Sequence, residues 1–368
     1  MFYNSLTPAR RALLGRIACF RSPVKYEILK ALAETAEKSA ATLDTGLRDL
    51  VARGLLHHDT KEGRFDLHPI VRRYAYDRLA APDRAAAHTR LRDYFAAVPR
   101  ADKVTRLEDL APVMEFFHHT VRAGQFDEAC TLFRDRLGTV LHLQLGAYLM
   151  QIDLLRALFP DGEDRLPRLR DERAQSWTLN ELANSYSLSG QPHRAKPLYE
   201  QANAIKEQRN DNVNLANGLA AVAQVAHLRT GALRAAEANL RRRIALCRPI
   251  KDELGEAVGH QELGHLLAYR GAYAESETEL DAALKIKVCR DSPQGHGINW
   301  AYRALRELLL LRSSDSSEFR AAGSALESAR RALELADETA RTRYPLEQDY
   351  VRAHWLLGAA HRDAGQPD

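Results

Sequence analysis

The chain has 368 residues, 45% of them hydrophobic and 28% charged, with a formal net charge of +4. This is a globular composition with room for two domains or one elongated array. No apolar run approaches the roughly 20 residues of a membrane helix, and Met1–Arg11 lacks the apolar core and small-residue cleavage site of a signal peptide.

The positive charge is concentrated at one end. Residues 1–82 carry 14 Lys and Arg against 9 Asp and Glu, leaving 39 against 40 for the rest. In that first stretch Thr7-Pro8 offers an N-cap and a first-turn proline for a helix with Leu13, Leu14 and Ile17 on one face. Ser22-Pro23 repeats the signal for a second helix with Ile28, Leu29 and Leu32 facing inward. A third runs over 42–53, apolar at Leu43, Leu47, Leu50 and Val51, and Gly54 ends it. Leu55–Asp59 and Arg64–Leu67, joined by the polar turn Thr60-Lys61-Glu62-Gly63, read as a hairpin. A fourth helix starts at His68-Pro69 and carries Val71, Tyr74, Ala75 and Leu79. Three helices, a hairpin and a helix is winged-helix order, and domain 1–82 is assigned to it.

Beyond a helical linker at 83–109, apolar residues recur at helical spacing and the pattern repeats. Gly190, Gly231 and Gly271 lie about 40 residues apart. An apolar residue precedes a small or polar one ahead of each glycine: Leu182-Ala183, Ala223-Gln224 and Leu263-Gly264. Packing positions follow at Ala195 and Tyr199, Ala236 and Leu240, Ser276 and Leu280. Asp211, Asp252 and Asp291 mark the links. Each unit is expected to be two antiparallel helices joined at the glycine and stacked on the next unit, because one unit cannot bury its own apolar face. Gly124 with Ala129 and Phe133 fits the register earlier; Leu357-Gly358 and Gly365 fit it at the end. Residues 142–160 and 300–340 are degenerate units, the second with the insertion Ser313-Ser314-Asp315-Ser316-Ser317. The fold class is therefore mainly α: a winged-helix domain, then an α-α superhelix over 110–368.

The register resembles lengthened tetratricopeptide repeats. The first domain resembles the winged helix of STAND signalling ATPases, the group with NB-ARC and maltose-regulator-like proteins. The matching segments are RRALLGRIACF at Arg10–Phe20, LRDLVARGLL at Leu47–Leu56 and FDLHPIVRRYAYDRL at Phe65–Leu79, where Leu67-His68-Pro69 stands in the MHD position. The resemblance implies an order of ATPase, winged helix and repeat sensor. It implies that His68 senses nucleotide by contacting the β-phosphate of ADP on the ATPase. The chain holds no GxxxxGK[ST] loop, so no phosphate cradle of that type. Its first residues fall after the expected ATPase and its last inside a repeat. A fragment or split gene product is expected, with the ATPase domain on the same or a neighbouring chain as partner.

The inward residues of each first helix should line a concave groove. By register these are Asn180, Asn184, Gln261, His265, Arg352 and Trp355, with Tyr302 and Arg306. Amides, arginines and aromatics suit an extended peptide or protein segment. Ala353, Leu356, Leu357 and Ala360 form an apolar face without a following helix, so self-association through the C-terminal helix is expected.

Other chemistries find little footing. Cys19, Cys130, Cys247 and Cys289 are far apart and form no CxxC pair, which reads as reduced thiols in the cytoplasm. His57-His58 and His118-His119 are adjacent and point apart on a helix, so neither forms a bidentate metal site. HExxH and GxSxG are absent. No enzyme activity, cofactor or metal is expected. The alternative function is a DNA-binding regulator with a repeat sensor: Lys61, Arg64, Arg72 and Arg73 favour it. Asp44 and Asp49 on the third helix repel phosphate, so nucleic acid is not the expected partner.

Overall fold

The computed structural model describes residues 2–34, 40–99, 103–313, 318–342 and 345–366. It divides into two compact units, Met1–Arg170 and Asp171–Asp368.

The first unit opens with α1 (Pro8–Ile17), whose N-cap Thr7 accepts from the Arg10 amide. The expected second helix does not begin at Ser22-Pro23. Val24–Lys25 form a short strand, β1, and α2 spans Tyr26–Glu34. Buried Val24 pairs with Phe65, a partner 41 residues away that local capping signals cannot reveal. Helix α3 (Ala40–Ala52) leads into β2 (His57–Asp59) and β3 (Arg64–Asp66), giving an antiparallel sheet of order β1-β3-β2. Asp59 closes the wing by accepting from the amides of Lys61 and Glu62. Helix α4 (Pro69–Arg78) follows. Its Ala75 and the following Leu79 are buried as expected, but Tyr74 is exposed. Its ring meets Tyr3 edge-on at 5.3 Å and lies 3.5 Å beneath the Arg78 guanidinium. Leu29, Leu43, Leu47 and Leu50 point inward; the Leu32 side chain lies outside the described set.

The segment expected as a linker at 83–109 contains α5 (Ala81–Ala96). Its Ala87, Leu91 and Phe95 pack into the same core as α1 to α4. Their spacing of four carries one apolar face into an existing core, where a linker would leave it wet. Helices α6 (Ala111–Arg122) and α7 (Phe126–Leu132) form a hairpin around Gly124, α7 running on as π-helix at Phe133–Gly138. A second π-helical stretch, Val140–Gln144, precedes α8 (Tyr148–Arg156).

The second unit is built of helical hairpins: α9 (Glu172–Leu188) with α10 (Pro192–Gln208), and α11 (Asn212–Ala221, continued as π-helix Val222–Leu228) with α12 (Leu233–Cys247). Then come α13 (Glu253–Tyr269) with α14 (Tyr273–Lys285), the single turn α15 (Lys287–Arg290), α16 (Pro293–Ser313) with α17 (Glu318–Thr342), and α18 (Glu347–Asp363). The glycines that set the register, Gly190, Gly231 and Gly271, all sit in the left-handed region that a side chain disfavours. The packing positions Ala195, Tyr199, Ala236, Leu240, Ser276 and Leu280 are all buried. Asp171, Asp211 and Asp252 each cap the next first helix through amides two or three residues on. Of the Ser-rich insertion, residues 314–317 lie outside the described ones.

Close approach within a hairpin has a measurable consequence at Gly264. A Cβ there would meet Leu280 Cγ at 2.7 Å and the Ser276 carbonyl at 3.1 Å, whereas one on Gly358 of α18 would meet nothing within 4 Å. Gly264→Ala is expected to cost about 1–3 kcal/mol through overpacking, and Gly358→Ala to be neutral or slightly stabilising. Urea midpoints check both; equal midpoints would refute the close contact.

The apolar face of α18 is not open as expected. Ala353, Leu356 and Ala360 are buried against α16 and α17, with Leu357 partly so. The preceding hairpin covers them, and the exposed apolar side chains of this helix are Val351 and Trp355.

Candidate functional site

Successive first helices of the second unit place polar and aromatic side chains side by side. On α13, Glu262, His265 and Tyr269 are three and four residues apart and so share one face. The Tyr302 hydroxyl, on α16, donates to Glu262 Oε1 at 2.7 Å. The His265 ring stacks on Tyr302 with centroids 4.1 Å apart and planes within 7°. His265 Nδ1 is 3.6 Å from Glu262 Oε2, and Tyr269 lies 5.0 Å from the imidazole. From α18, the Arg352 guanidinium sits 5.6 Å from the Tyr302 ring while bonding Asp349 at 3.0 Å. Burial works to raise the Glu262 carboxyl, but His265, the Tyr302 hydroxyl and Arg352 outweigh it and hold it below the usual range. Burial, then the Glu262 charge, pushes the Tyr302 phenol well above its ordinary value. The result is a shielded carboxylate acceptor between aromatic rings, with an arginine beside it.

The structure therefore brings together His265, Tyr302 and Arg352, and adds Glu262; Tyr302, expected to line the groove, is instead 7% exposed and supports the face from below. Trp355, 58% exposed, lines an open hollow of about 420 Å³ with Glu347, Gln348, Val351 and Arg352. Arg306 turns away from Tyr302 and bonds the Tyr273 carbonyl at 3.0 Å and Glu277 at 2.9 Å, both on α14. Gln261 does not line the surface. It is 3% exposed and its amide donates to the Gly295 carbonyl at 2.6 Å, clasping α13 to the start of α16. One residue is 100° of helical rotation, and that step separates Gln261 from Glu262. Glu262 and Tyr302 are 40 residues apart, one repeat, but that step takes Gln261 and Glu262 alike to buried residues, Ala301 and Tyr302, so spacing alone does not tell the two apart. Asn180 and Asn184 lie half-buried on α9. Asn184 Oδ1 accepts from Tyr199 at 2.6 Å, and its amide is 3.4 Å from Glu181. Glu181 and Asn184 stand at the same offsets before Gly190 as Glu262 and His265 before Gly271.

In the first unit His68 is exposed at the N-cap of α4, where its Nδ1 accepts from the Ile70 amide at 3.3 Å. Ile70, 73% exposed, and Tyr74 continue the open face of that helix. On α3, Asp49 holds Arg53, just past the helix, and Arg10 of α1, and Asp44 accepts from Tyr26.

Among the described residues no group of three His, Cys, Asp or Glu could hold a metal ion. The four thiols are buried. Burial pushes Cys19 up to about 12 and Cys289 to about 11, the opposite of what a nucleophilic thiolate needs. No helix among the described residues is long and apolar enough to cross a membrane.

Fold and site together define a mainly helical protein of tetratricopeptide-like hairpins. No protein-family model matches the chain, and no curated protein matches it. Among solved structures it is similar to a STAND protein with a tetratricopeptide repeat sensor from Pyrococcus horikoshii, at 15% identity and a TM-score of 0.36, over 99% of this chain and 62% of that one. The chain thus spans less than two thirds of that protein's length. It is also similar to BtubC from P. vanneervenii, at 16% identity, TM-score 0.39, over 73% of this chain and 94% of that one. A third similarity is to the tetratricopeptide-like repeats of a putative kinesin light chain from Podospora anserina, at 18% identity, TM-score 0.34, over 64% of this chain and 96% of that one.

Proposed function

We propose that this chain is the winged-helix and sensor portion of a STAND-type signalling regulator. Its second unit takes an extended peptide or protein segment across the first-helix faces, at Glu262, His265, Arg352 and Trp355, with buried Tyr302 behind them. Its first unit relays occupancy to a nucleotide-binding ATPase domain on the same or a neighbouring chain, with His68 directed at bound ADP. The observation that carries this reading is the exposed start of α4. A histidine followed by open Ile70 and Tyr74 is a polar tip on an apolar strip, the composition of a docking face. The DNA-binding alternative gains little support from α3, because Arg53 at its end is committed to Asp49 and exposed Arg48 shares the helix with Asp44 and Asp49.

The test is a selection of short random peptides on the intact chain. Peptides enriched on the wild type should bind Arg352→Ala with Trp355→Ala at least about tenfold more weakly, the loss typical of removing one good anchor. The melting temperature should change little, because Trp355 is exposed and Arg352 is partly so. Peptides that bind this double variant as tightly as wild type would sink the assignment of the binding face.

A further inference from the structure

Inside the first unit a line of polar groups runs from α4 through α5 to α6. The Tyr76 hydroxyl is 3.0 Å from His88 Nε2. His88 Nδ1 is 2.9 Å from His119 Nδ1. His119 Nε2 is 3.5 Å from Glu115 Oε2, a close approach without hydrogen-bond geometry, and neither atom has a hydrogen-bond partner among the described residues. Glu115 Oε1 accepts from Arg21 Nε and a terminal nitrogen at 3.2 and 3.1 Å. Arg21 in turn offers its carbonyl to Arg72 of α4, which also holds Asp66 of the wing. His88 and His119 are 1% and 0% exposed.

These distances dictate a polarity. Two Nδ1 atoms 2.9 Å apart require one to donate and the other to accept. Ionised Glu115 lies 3.5 Å from Nε2, so its charge favours His119 with the proton on that nitrogen. His119 Nδ1 is then the acceptor, His88 carries its proton on Nδ1, and Tyr76 donates to His88 Nε2. The donors do not converge on one point: Glu115 lies on the far side of the His119 ring from His88. This is a line of polar contacts and not a chelate. A second proton on the pair would set two N–H groups against each other. The first is opposed by what faces the rings. Arg84 of α5, Arg122 of α6 and Arg21 after α1 are cationic, Cys19 and His118 are neutral, and Glu115 alone is anionic. Burial, then Arg122 and Arg84, holds His88 down to about 4. Burial, then His88 and Arg21, holds His119 to about 3. Burial, then His119, Arg21, Arg122 and His88, lowers His118 as well.

We propose that the chain Tyr76–His88–His119–Glu115–Arg21 is an acid-labile joint. It holds α6 against α4 and α5 while the imidazole pair is neutral and lets them part when the pair takes up protons. This goes beyond the sensor reading and does not depend on it, because it concerns the first unit without ligand or ATPase. It would make the coupling of α4 to the helices that follow responsive to local acidity.

Hydrogen exchange of the full chain tests it, with exchange times scaled to the intrinsic rate at each pH. Between pH 7 and 5, peptides covering α4 to α6 should lose protection at least about tenfold, since each opening would let a histidine take up a proton. Peptides of 171–368, where burial lowers His227 and His296, should lose less. His88→Asn with His119→Asn places non-titrating amides at the two Nδ1 positions and should remove most of the acid response, leaving the part that His118 contributes. An equal loss in both units, or the same loss in the double variant, overturns the proposal. Should that variant fail to fold, nitrogen-15 spectra of histidine-labelled wild type at neutral pH decide. The proton is expected on Nδ1 of His88 and Nε2 of His119, and the reverse arrangement refutes the joint.

Discussion

Acidifying the protein from neutral to about pH 5 should destabilise the first unit by roughly 2 kcal/mol for each buried histidine that resists protonation. The sign follows from the depressed values of His88, His118 and His119. In the unfolded chain an imidazole takes up its proton near 6.5; in the folded unit it does so only near 4 or below. Between those values the unfolded state binds more protons, so stability is complete above 6.5 and falls as the pH drops toward 4. His88 and His119 titrate as a pair, so the three contributions will not simply add. Trp177, Trp300 and Trp355 all lie in the second unit. A calorimetric transition of the first unit should therefore move down in temperature with acid by more than the tryptophan-reported transition of the second, where burial also lowers His227 and His296. A first-unit transition unchanged between pH 7 and 5 would contradict the buried, neutral state of these rings.

Tyr199→Ala should cost about 3–5 kcal/mol in the second unit, the range for emptying an aromatic site in a closed core. Tyr199 is fully buried in α10 with its hydroxyl on Asn184. Tyr199→Phe isolates the hydroxyl and should cost about 1 kcal/mol. Asn184→Ala leaves that hydroxyl unpaired and should cost about 1–3 kcal/mol. Asn184 is thus a brace as well as a surface residue, and a binding defect in Asn184→Ala alone would mix the two effects. Urea unfolding followed through Trp177, on α9 beside this hairpin, measures all three. An Asn184→Ala variant as stable as wild type would show that the Tyr199 hydroxyl finds another partner.

The hairpin register was legible because small residues and left-handed glycines leave a strong local signature. Gly190, Gly231 and Gly271 with Ala195, Ala236 and Ser276 are enough to place both helices of three units. The start of α4 was equally plain, since His68-Pro69 is a cap and a first-turn proline. What escaped depended on distant partners. Val24 is a strand residue only because Phe65 arrives opposite it. Helix α5 belongs to the core only because α1 to α4 have left a groove for Ala87, Leu91 and Phe95. The error at Gln261 was a matter of phase: amide and carboxylate are neighbours in sequence, and only packing against Gly295 decides which is buried. Nothing local marks His88 and His119 as partners, 31 residues apart on different helices.

That phase relation constrains how such a chain can change. The clasp at Gln261 and the carboxylate at Glu262 are read from one helix at adjacent positions. Deleting a single residue upstream within α13 would send the Glu262 carboxylate toward Gly295 and Leu263 to the surface; inserting one would send His260 toward Gly295 and the Gln261 amide to the surface. Recognition can therefore drift by substitution at the open positions, or jump by gain or loss of an entire hairpin between its aspartate caps. It cannot slide. A lineage that lengthens its array inherits each new surface together with the core that orients it.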